Sequence, residues 1–460
     1  MFGHPMLLQF AVENFRSIRE QVVLSMLAPE GGEGAELPAR YVRNIGGQRV
    51  LRCAAVYGAN ASGKSNLVKA FRSLRDLAMA GTKSRTEKLP VVPFRLGEAW
   101  ATKPTRFEVE FVVGDVQYAY GIALTRDAVV EERLHRVEAD ADVMLFEREA
   151  PEGDAEHVFR VGDAVTGDPE RRQFLHFVAK ATRPNQPLLA EWPERNVSEF
   201  DTAVRWFHDG YAVIAPDSKY IPLVDRLQNE SMRGFVETQL QGWGTGVERL
   251  DIRTAPLQGF NSIAPEERAL VSQHIEKHGS LHFIIEDEPN MALKENDEIV
   301  HRRLRFQHGA AHEGFAWTDE SDGTRRLMHL LPVLWDATHD PRRAVFVVDE
   351  LERSLHATLT RRFVEEFLGA GDERPGQLIF TTHDTNLLND SLLPAASVWF
   401  TEKDREGGTH LYSLAEYPPE QLARFTDRLE QGYLQGRFGA IPFVATRDQL
   451  GWCPSREPDA

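Results

Sequence analysis

The sequence predicts an α/β fold: a mostly parallel sheet packed with helices, split between the two ends of the chain and joined to an antiparallel β region. Three observations predict it. Short apolar runs at 53–57, 344–348 and 378–382 are each followed by a helical pattern, the order produced by parallel crossovers. Between 106 and 148 apolar residues alternate with polar ones, the period of half-buried antiparallel strands. From about 168 to 280 the pattern turns helical and irregular, over a length too great for a loop inside a compact domain.

The elements follow in order. Met6 to Val12 is mostly apolar and runs into Glu13-Asn14-Phe15-Arg16-Ser17-Ile18, and Gln21 to Met26, β-branched at Val22 and Val23, forms a second strand. A helix is expected over about 65–80. Phe107, Val109 and Phe111 alternate on one side of Gly114-Asp115, and Gln117, Ala119 and Gly121 on the other, which reads as a hairpin. Val129 to Val137 and Val143 to Phe146 extend it into a meander. In the middle, Phe200, Val204 and Phe207 have helical spacing, and Pro265 opens a helix reaching Lys277. Leu281 to Ile285 reads as a strand and 303–318 as a hairpin around Gly309 to Gly314. Helix and strand then alternate: helix 323–338, strand Ala344 to Val348, helix 356–369, strand Gln377 to Thr382, helix 384–390. The expected boundaries are 1–165 for the first half of the split domain, 166–300 for an inserted, mainly helical lobe, and 301–460 for the second half. No heptads persist, so the lobe is not a coiled-coil arm.

With 460 residues and 42% hydrophobic content the chain can bury two or three cores. The balance of 53 basic and 70 acidic residues, −17 in all, argues against a uniformly nucleic-acid-attracting surface but leaves a local basic groove open. Cys53 falls in a core strand and Cys453 lies far away, which points to a reducing compartment rather than a disulfide framework. No run approaches a membrane span and no cleavable leader is evident, so a cytoplasmic protein with no membrane partner is expected. Gly31-Gly32-Glu33-Gly34 and Glu149 to Asp154 read as loops, and Pro454 to Ala460 as a frayed tail.

The chemistry is carried by Gly58-Ala59-Asn60-Ala61-Ser62-Gly63-Lys64-Ser65, between an apolar strand and a helix start at Asn66. Its glycines allow a tight turn whose N–H groups converge on phosphate oxygens at a helix N-terminus. Gly58, Asn60, Ser62, Gly63, Lys64, Ser65 and Asn66 are therefore candidate ATP contacts, with Lys64 reaching the β- and γ-phosphates and Ser65 a Mg²⁺ ligand. In Ala344-Val345-Phe346-Val347-Val348-Asp349-Glu350 an apolar strand delivers two carboxylates to its C-terminal end, where doubly wound sheets bind ligands. Asp349 is the candidate Mg²⁺ holder and Glu350 the base that orients and deprotonates water, the alternative being solvated acids at a strand end. Glu320-Ser321-Asp322-Gly323-Thr324 opens a helix upstream, either as an ordinary Ser cap or as a phosphate-contacting helix start. His383 stands at the tip of the next strand, as a phosphate contact, a structural side chain or half of a His383-Asp384 metal pair. His356 either reaches a partner subunit or caps the following helix.

Taken in order, these motifs resemble the AAA15-type branch of the SMC/RecF/OLD group of ABC-like ATPases. Glu13 to Ile18 resembles the opening strand of SMC and RecF, and Gly58 to Asn66, Asp319 to Leu327, Phe346 to His356 and Thr381 to Leu387 match in order. Val398 to Asp404 and Gly432 to Pro442 resemble the narrower branch, while the middle lobe matches little. The resemblance implies an α/β, ABC/SMC-type split P-loop ATPase head with an antiparallel β subdomain and an inserted, mainly helical lobe. It also implies a head-to-tail homodimer, or higher homo-oligomer, with two ATP molecules and Mg²⁺ held between phosphate loop and signature. Ser321 and Gly323 would then be the signature residues facing the partner's γ-phosphate, with Asp322 where the family often has glycine. His383 would be the switch histidine, catalytic alongside Glu350 and Lys64. A role in anti-phage defence is implied as well, as sensor or scaffold for a separately encoded effector of TOPRIM nuclease type, as in the PARIS system. Two readings compete: a RecF/SMC-like DNA-binding repair ATPase, weakened by the acidic balance and the missing coiled coil, and an adapter that binds ATP without turnover. An OLD-like enzyme with its own nuclease is disfavoured because the stretch after His383 is short for a TOPRIM domain.

Overall fold

The computed structural model describes residues 4–29, 37–139, 141–150, 158–216, 222–260, 262–309, 314–340, 342–369, 376–422, 424 and 428–441. The loop expected at 31–34, part of that at 149–154, the centre of the turn at 309–314, Cys453, Pro442 and the tail at 454–460 lie outside the described residues.

At the centre is a six-stranded sheet in the order Tyr211–Ile214, Val345–Val348, Gln377–Thr381, Cys53–Gly58, Val398–Lys403, Thr409–Ser413. The first five run parallel and Thr409–Ser413 is antiparallel. Both faces of the inner strands are covered, so Cys53–Gly58, Val345–Val348 and Gln377–Thr381 are buried at every position, which is why 53–57, 345–348 and 378–380 read as apolar runs. The free Cys53 sits inside this core, and burial pushes its thiol up to about 12.

Beside it lies a seven-stranded antiparallel sheet that includes Pro5–Glu13, Val22–Ser25 and the meander from Thr105–Val113 to Val158–Val161. The sheets are clamped by Gln377, whose amide accepts from Leu7 N–H at 2.6 Å and donates to Leu7 and Leu51 carbonyls at 3.0 and 2.9 Å. Phe10 stacks on Phe71 of the phosphate-loop helix at 3.8 Å.

The middle segment carries helices at Pro169–Ala181, Leu188–Glu194, Asp201–Arg205, Glu230–Gly242 and Pro265–His278. It holds more strand than the periodicity announced. Tyr211–Ile214 joins the central sheet beside the carboxylate strand, and Arg249–Pro256, Ser280–Ile285, Glu288–Glu295 and Glu298–Gln307 form a four-stranded antiparallel sheet. Segment 166–300 is thus wired into the head by a shared strand. The expected helix at 199–208 is a short α-turn continued by a π-turn at Trp206–Gly210, and that at 384–390 is one 3₁₀ turn, Thr385–Leu387. Among the described residues no helix is long and apolar enough to cross a membrane.

Candidate functional site

The phosphate loop is shaped by what its glycines touch. A Cβ on Gly58 would stand 2.5 Å from the Thr401 carbonyl, and one on Gly63 would stand 2.3 Å from Thr409 Oγ1. Both glycines also hold positive φ, 154° and 120°, where L side chains are rarely found. Ser62 Oγ lies 2.6 Å from Thr401 Oγ1, and Thr409 Oγ1 donates to the Ser62 carbonyl at 2.9 Å. Asn66 Nδ2 donates to Ser17 Oγ at 2.7 Å, and Ser17 Oγ sits 2.8 Å from Thr409 Oγ1. The loop is therefore braced by the strands Val398–Lys403 and Thr409–Ser413 and by the turn after Pro5–Glu13.

The helix that follows, Lys64–Met79, has no side-chain cap, so its first N–H groups stay directed into the loop. Lys64 Nζ curls over the loop, donating to Gly58 and Ala59 carbonyls at 2.8 and 3.1 Å. Burial lowers its pKa to about 8, opposed by Glu352, Asp349 and Glu350. Asn60 is exposed on the loop.

Directly opposite is the carboxylate strand. Ser65 Oγ donates to Asp349 Oδ1 at 3.2 Å, and Thr381 Oγ1 donates to the same oxygen at 2.5 Å. Thr381 Oγ1 in turn accepts Glu350 N–H at 2.8 Å. Glu350 takes φ of 48°, a turn that swings its side chain out of the strand path while Asp349 stays buried. Arg326, one turn into helix Asp322–His339, donates to the Asp349 and Glu350 carbonyls, each at 3.3 Å. Burial and the nearby Arg353 lower its pKa to about 10.

His383 sits at the end of strand Gln377–Thr381, with its imidazole pKa lowered by burial and then by Lys64. Its backbone N–H donates to Glu352 Oε1 at 2.7 Å, and among the described residues no three His, Cys, Asp or Glu form a metal cluster around it. His356 Nδ1 accepts Thr358 N–H at 3.2 Å, the capping alternative for that residue. Ser321 caps helix Asp322–His339, its Oγ accepting Thr324 N–H at 3.1 Å. A Cβ on Gly323 would come within 3.1 Å of the Ser354 carbonyl, so the start of this helix packs on the turn that follows the carboxylates.

The structure thus brings Lys64, Ser65, Asp349, Glu350 and His383 into one electrostatic neighbourhood, with Gly58, Ser62, Gly63 and Asn66 forming its loop. Ser321 and Gly323 are not joined to that set: Ser321 caps its helix and Gly323 lies next to Ser354. Sequence reasoning missed Thr381, Arg326, Glu352, Thr401, Thr409 and Ser17. For Thr381 and Glu352 a signal existed, a polar residue ending one apolar strand and a third acid after the carboxylate pair. Arg326 reaches the carboxylate turn from the preceding helix, and Thr401, Thr409 and Ser17 are joined across hundreds of residues, where spacing carries nothing.

The residues fit a nucleoside triphosphate with Mg²⁺. The cradle is one that a Cβ would fill, its donors are uncapped helix amides and an ammonium, and Ser65 Oγ and Asp349 Oδ1 are hard oxygens side by side. Mg²⁺ takes few protein ligands and keeps water and phosphate for the rest, which suits this sparse set.

A glycine cradle at a helix start, an invading lysine and carboxylates at the end of a parallel strand one place removed in the same sheet define a P-loop ATPase domain. Residues 53–389 match the family described as "AAA domain, putative AbiEii toxin, Type IV TA system", and the chain belongs to that family. The architecture is α/β, a mostly parallel six-stranded sheet beside a seven-stranded antiparallel one. Similar solved structures include an SMC head bound to the C-winged helix domain of ScpA, at 13% identity and TM-score 0.39, covering 91% of this chain and 99% of that one. Another is the SMC head domain from Thermotoga maritima, at 12% identity and TM-score 0.35, covering 88% and 98%. A third is an SMC head with an extended coiled coil bound to the C-terminal domain of ScpA derived from Pyrococcus furiosus, at 14% identity and TM-score 0.34, covering 91% and 98%. No curated protein matches the chain.

Proposed function

We propose that the chain is a Mg²⁺-dependent ATP hydrolase that works as a nucleotide-gated dimer, a sensor or scaffold in anti-phage defence that holds or releases a separate toxic effector, of TOPRIM nuclease type. The observation that carries the ATPase reading is the meeting of Ser65 with Asp349 at 3.2 Å, beside Lys64 and one residue from Glu350. The defence reading leans on the family description, which speaks of a toxin and a toxin–antitoxin system.

In this reading the loop amides and Lys64 bind and orient the triphosphate. Ser65 and Asp349 hold Mg²⁺, which supplies charge neutralisation at the phosphates. Glu350, displaced from the strand by its positive φ, orients the attacking water and takes its proton. His383 donates to the γ-phosphate, its neutral form being favoured by burial. Ser321 and Gly323 complete the site of a facing copy, so each ATP is sealed between two chains. Excluding water there strengthens every one of these interactions.

The test pairs the wild type with Glu350→Gln. The wild type is expected to bind Mg-ATP and turn it over slowly, while Glu350→Gln binds equally but shows turnover lower by about 10²-fold or more, the range of a lost general base. Light scattering should show that variant held as a dimer with ATP and as a monomer without it. A wild type that retains no Mg-ATP, or a Glu350→Gln chain that turns over like the wild type, would overthrow the reading.

A further inference from the structure

The acids of this site do not end at Glu350. Two residues on, Glu352 accepts the His383 N–H through Oε1 at 2.7 Å, while its Oε2 is buried and has no hydrogen-bond partner. The backbone around it is fixed too. Leu355 N–H donates to the Glu352 carbonyl at 2.8 Å, and Leu351 N–H to the Thr381 carbonyl at 3.0 Å. With the Glu350 N–H on Thr381 Oγ1, three consecutive residues of the carboxylate turn are tied to the segment Thr381–His383.

A solvated surface acid would not show this pattern. A carboxylate oxygen shut from water without a donor is unfavourable, and such atoms concentrate where a protein needs a charge for chemistry or for a bound water. The helix that follows, Ala357–Gly369, is capped by His356, so Glu352 is not needed as its cap.

We propose that Glu352 is a positioning residue for His383: its carboxylate clamps the backbone of the histidine to the carboxylate turn, so that the imidazole and Glu350 are held in fixed relation about the reacting phosphate. This rests on the ATPase reading of the site. The clamp needs an acceptor at the position of Oε1, which glutamine keeps and alanine removes.

The experiment compares wild type, Glu352→Ala and Glu352→Gln, each assayed for Mg-ATP affinity, turnover and amide exchange at His383. Glu352→Ala should lose about tenfold or more in kcat, with affinity within about threefold, and its His383 amide should exchange about tenfold faster. Glu352→Gln should recover most of both. A Glu352→Ala chain with wild-type turnover and exchange overturns the proposal, and so does a Glu352→Gln chain that falls as far as alanine, since charge rather than the clamp would then matter. If the wild type itself fails to turn over ATP, the ATPase reading fails, and the exchange measurement still decides whether the clamp exists.

Discussion

Thr381 joins both halves of the expected chemistry through one hydroxyl, and its removal has a calculable effect. The side chain is buried, donates to Asp349 Oδ1 at 2.5 Å and accepts Glu350 N–H at 2.8 Å. Thr381→Val keeps the branched shape, so no cavity opens, but both bonds are lost and a methyl stands where the hydroxyl met Asp349 Oδ1. The bond to the carboxylate is charge-assisted, worth ~1.5–3 kcal/mol, and leaving the Glu350 N–H unpaired costs ~1–3 kcal/mol. Asp349 keeps the Ser65 hydroxyl, which tempers the first figure, so a total of about 3 kcal/mol is expected. In thermal unfolding of a 460-residue chain that amounts to a drop of roughly 3 °C. Turnover should fall further than stability alone dictates, because the turn that aims Glu350 loses its anchor, whereas Mg-ATP affinity should change little. Thr381→Ser restores the hydroxyl and should recover both. A Thr381→Val protein that melts within about 1 °C of wild type and keeps its turnover would refute the reasoning.

Two further expectations are independent of that residue. Gly63→Ala places a methyl 2.3 Å from Thr409 Oγ1 at a φ of 120°, so the chain should fold yet lose about tenfold or more in Mg-ATP affinity by equilibrium titration. Gly234→Ala, in helix Glu230–Gly242 with open space at its Cβ, is the control and should leave affinity untouched. The carboxylate of Glu199 is held below its ordinary 4.5 chiefly by hydrogen bonds from Arg171, one of them 2.7 Å long. A depressed carboxylate contributes stability at neutral pH that is lost as pH falls through its folded value, so Glu199→Gln should flatten the acid limb of urea unfolding below pH 4.5. Parallel acid limbs for variant and wild type would contradict it.

The core of the head was legible because burial there is total. Strands covered on both faces admit only apolar residues, so 53–57 and 344–348 announced themselves, and the residues at their ends stood out by contrast. The meander was legible for the opposite reason, one face wet and one dry. The strand Tyr211–Ile214 was missed because it is only four residues long and follows a π-turn, with no period to measure. Of the four-stranded sheet, Leu281 to Ile285 and the strand leading into the 303–318 turn were legible, while Arg249–Pro256 and Glu288–Glu295 were missed because charged residues stand where alternation should show. Arg249 and Arg253 pair with Asp251, and Arg305 pairs with Glu288, so charge pairing and side-chain stems replace the apolar stripe. The phosphate loop itself is set by Thr401 and Thr409, more than 300 residues away, which no local pattern can reveal.

The helix Asp322–His339 matters beyond its cap. In the proposed dimer its first turn would present Ser321 and Gly323 to a facing copy, and Gly323 packs against the Ser354 carbonyl of its own chain. One turn later, on the same rigid cylinder, Arg326 holds the Asp349 and Glu350 carbonyls. A buried guanidinium with an unpaired Nε has little freedom to let go of one partner without shifting the others. A phosphate drawn to the helix start by a second chain would therefore bear on the backbone that aims Glu350 in the first, and the two sites of a dimer would be coupled through a single turn of helix.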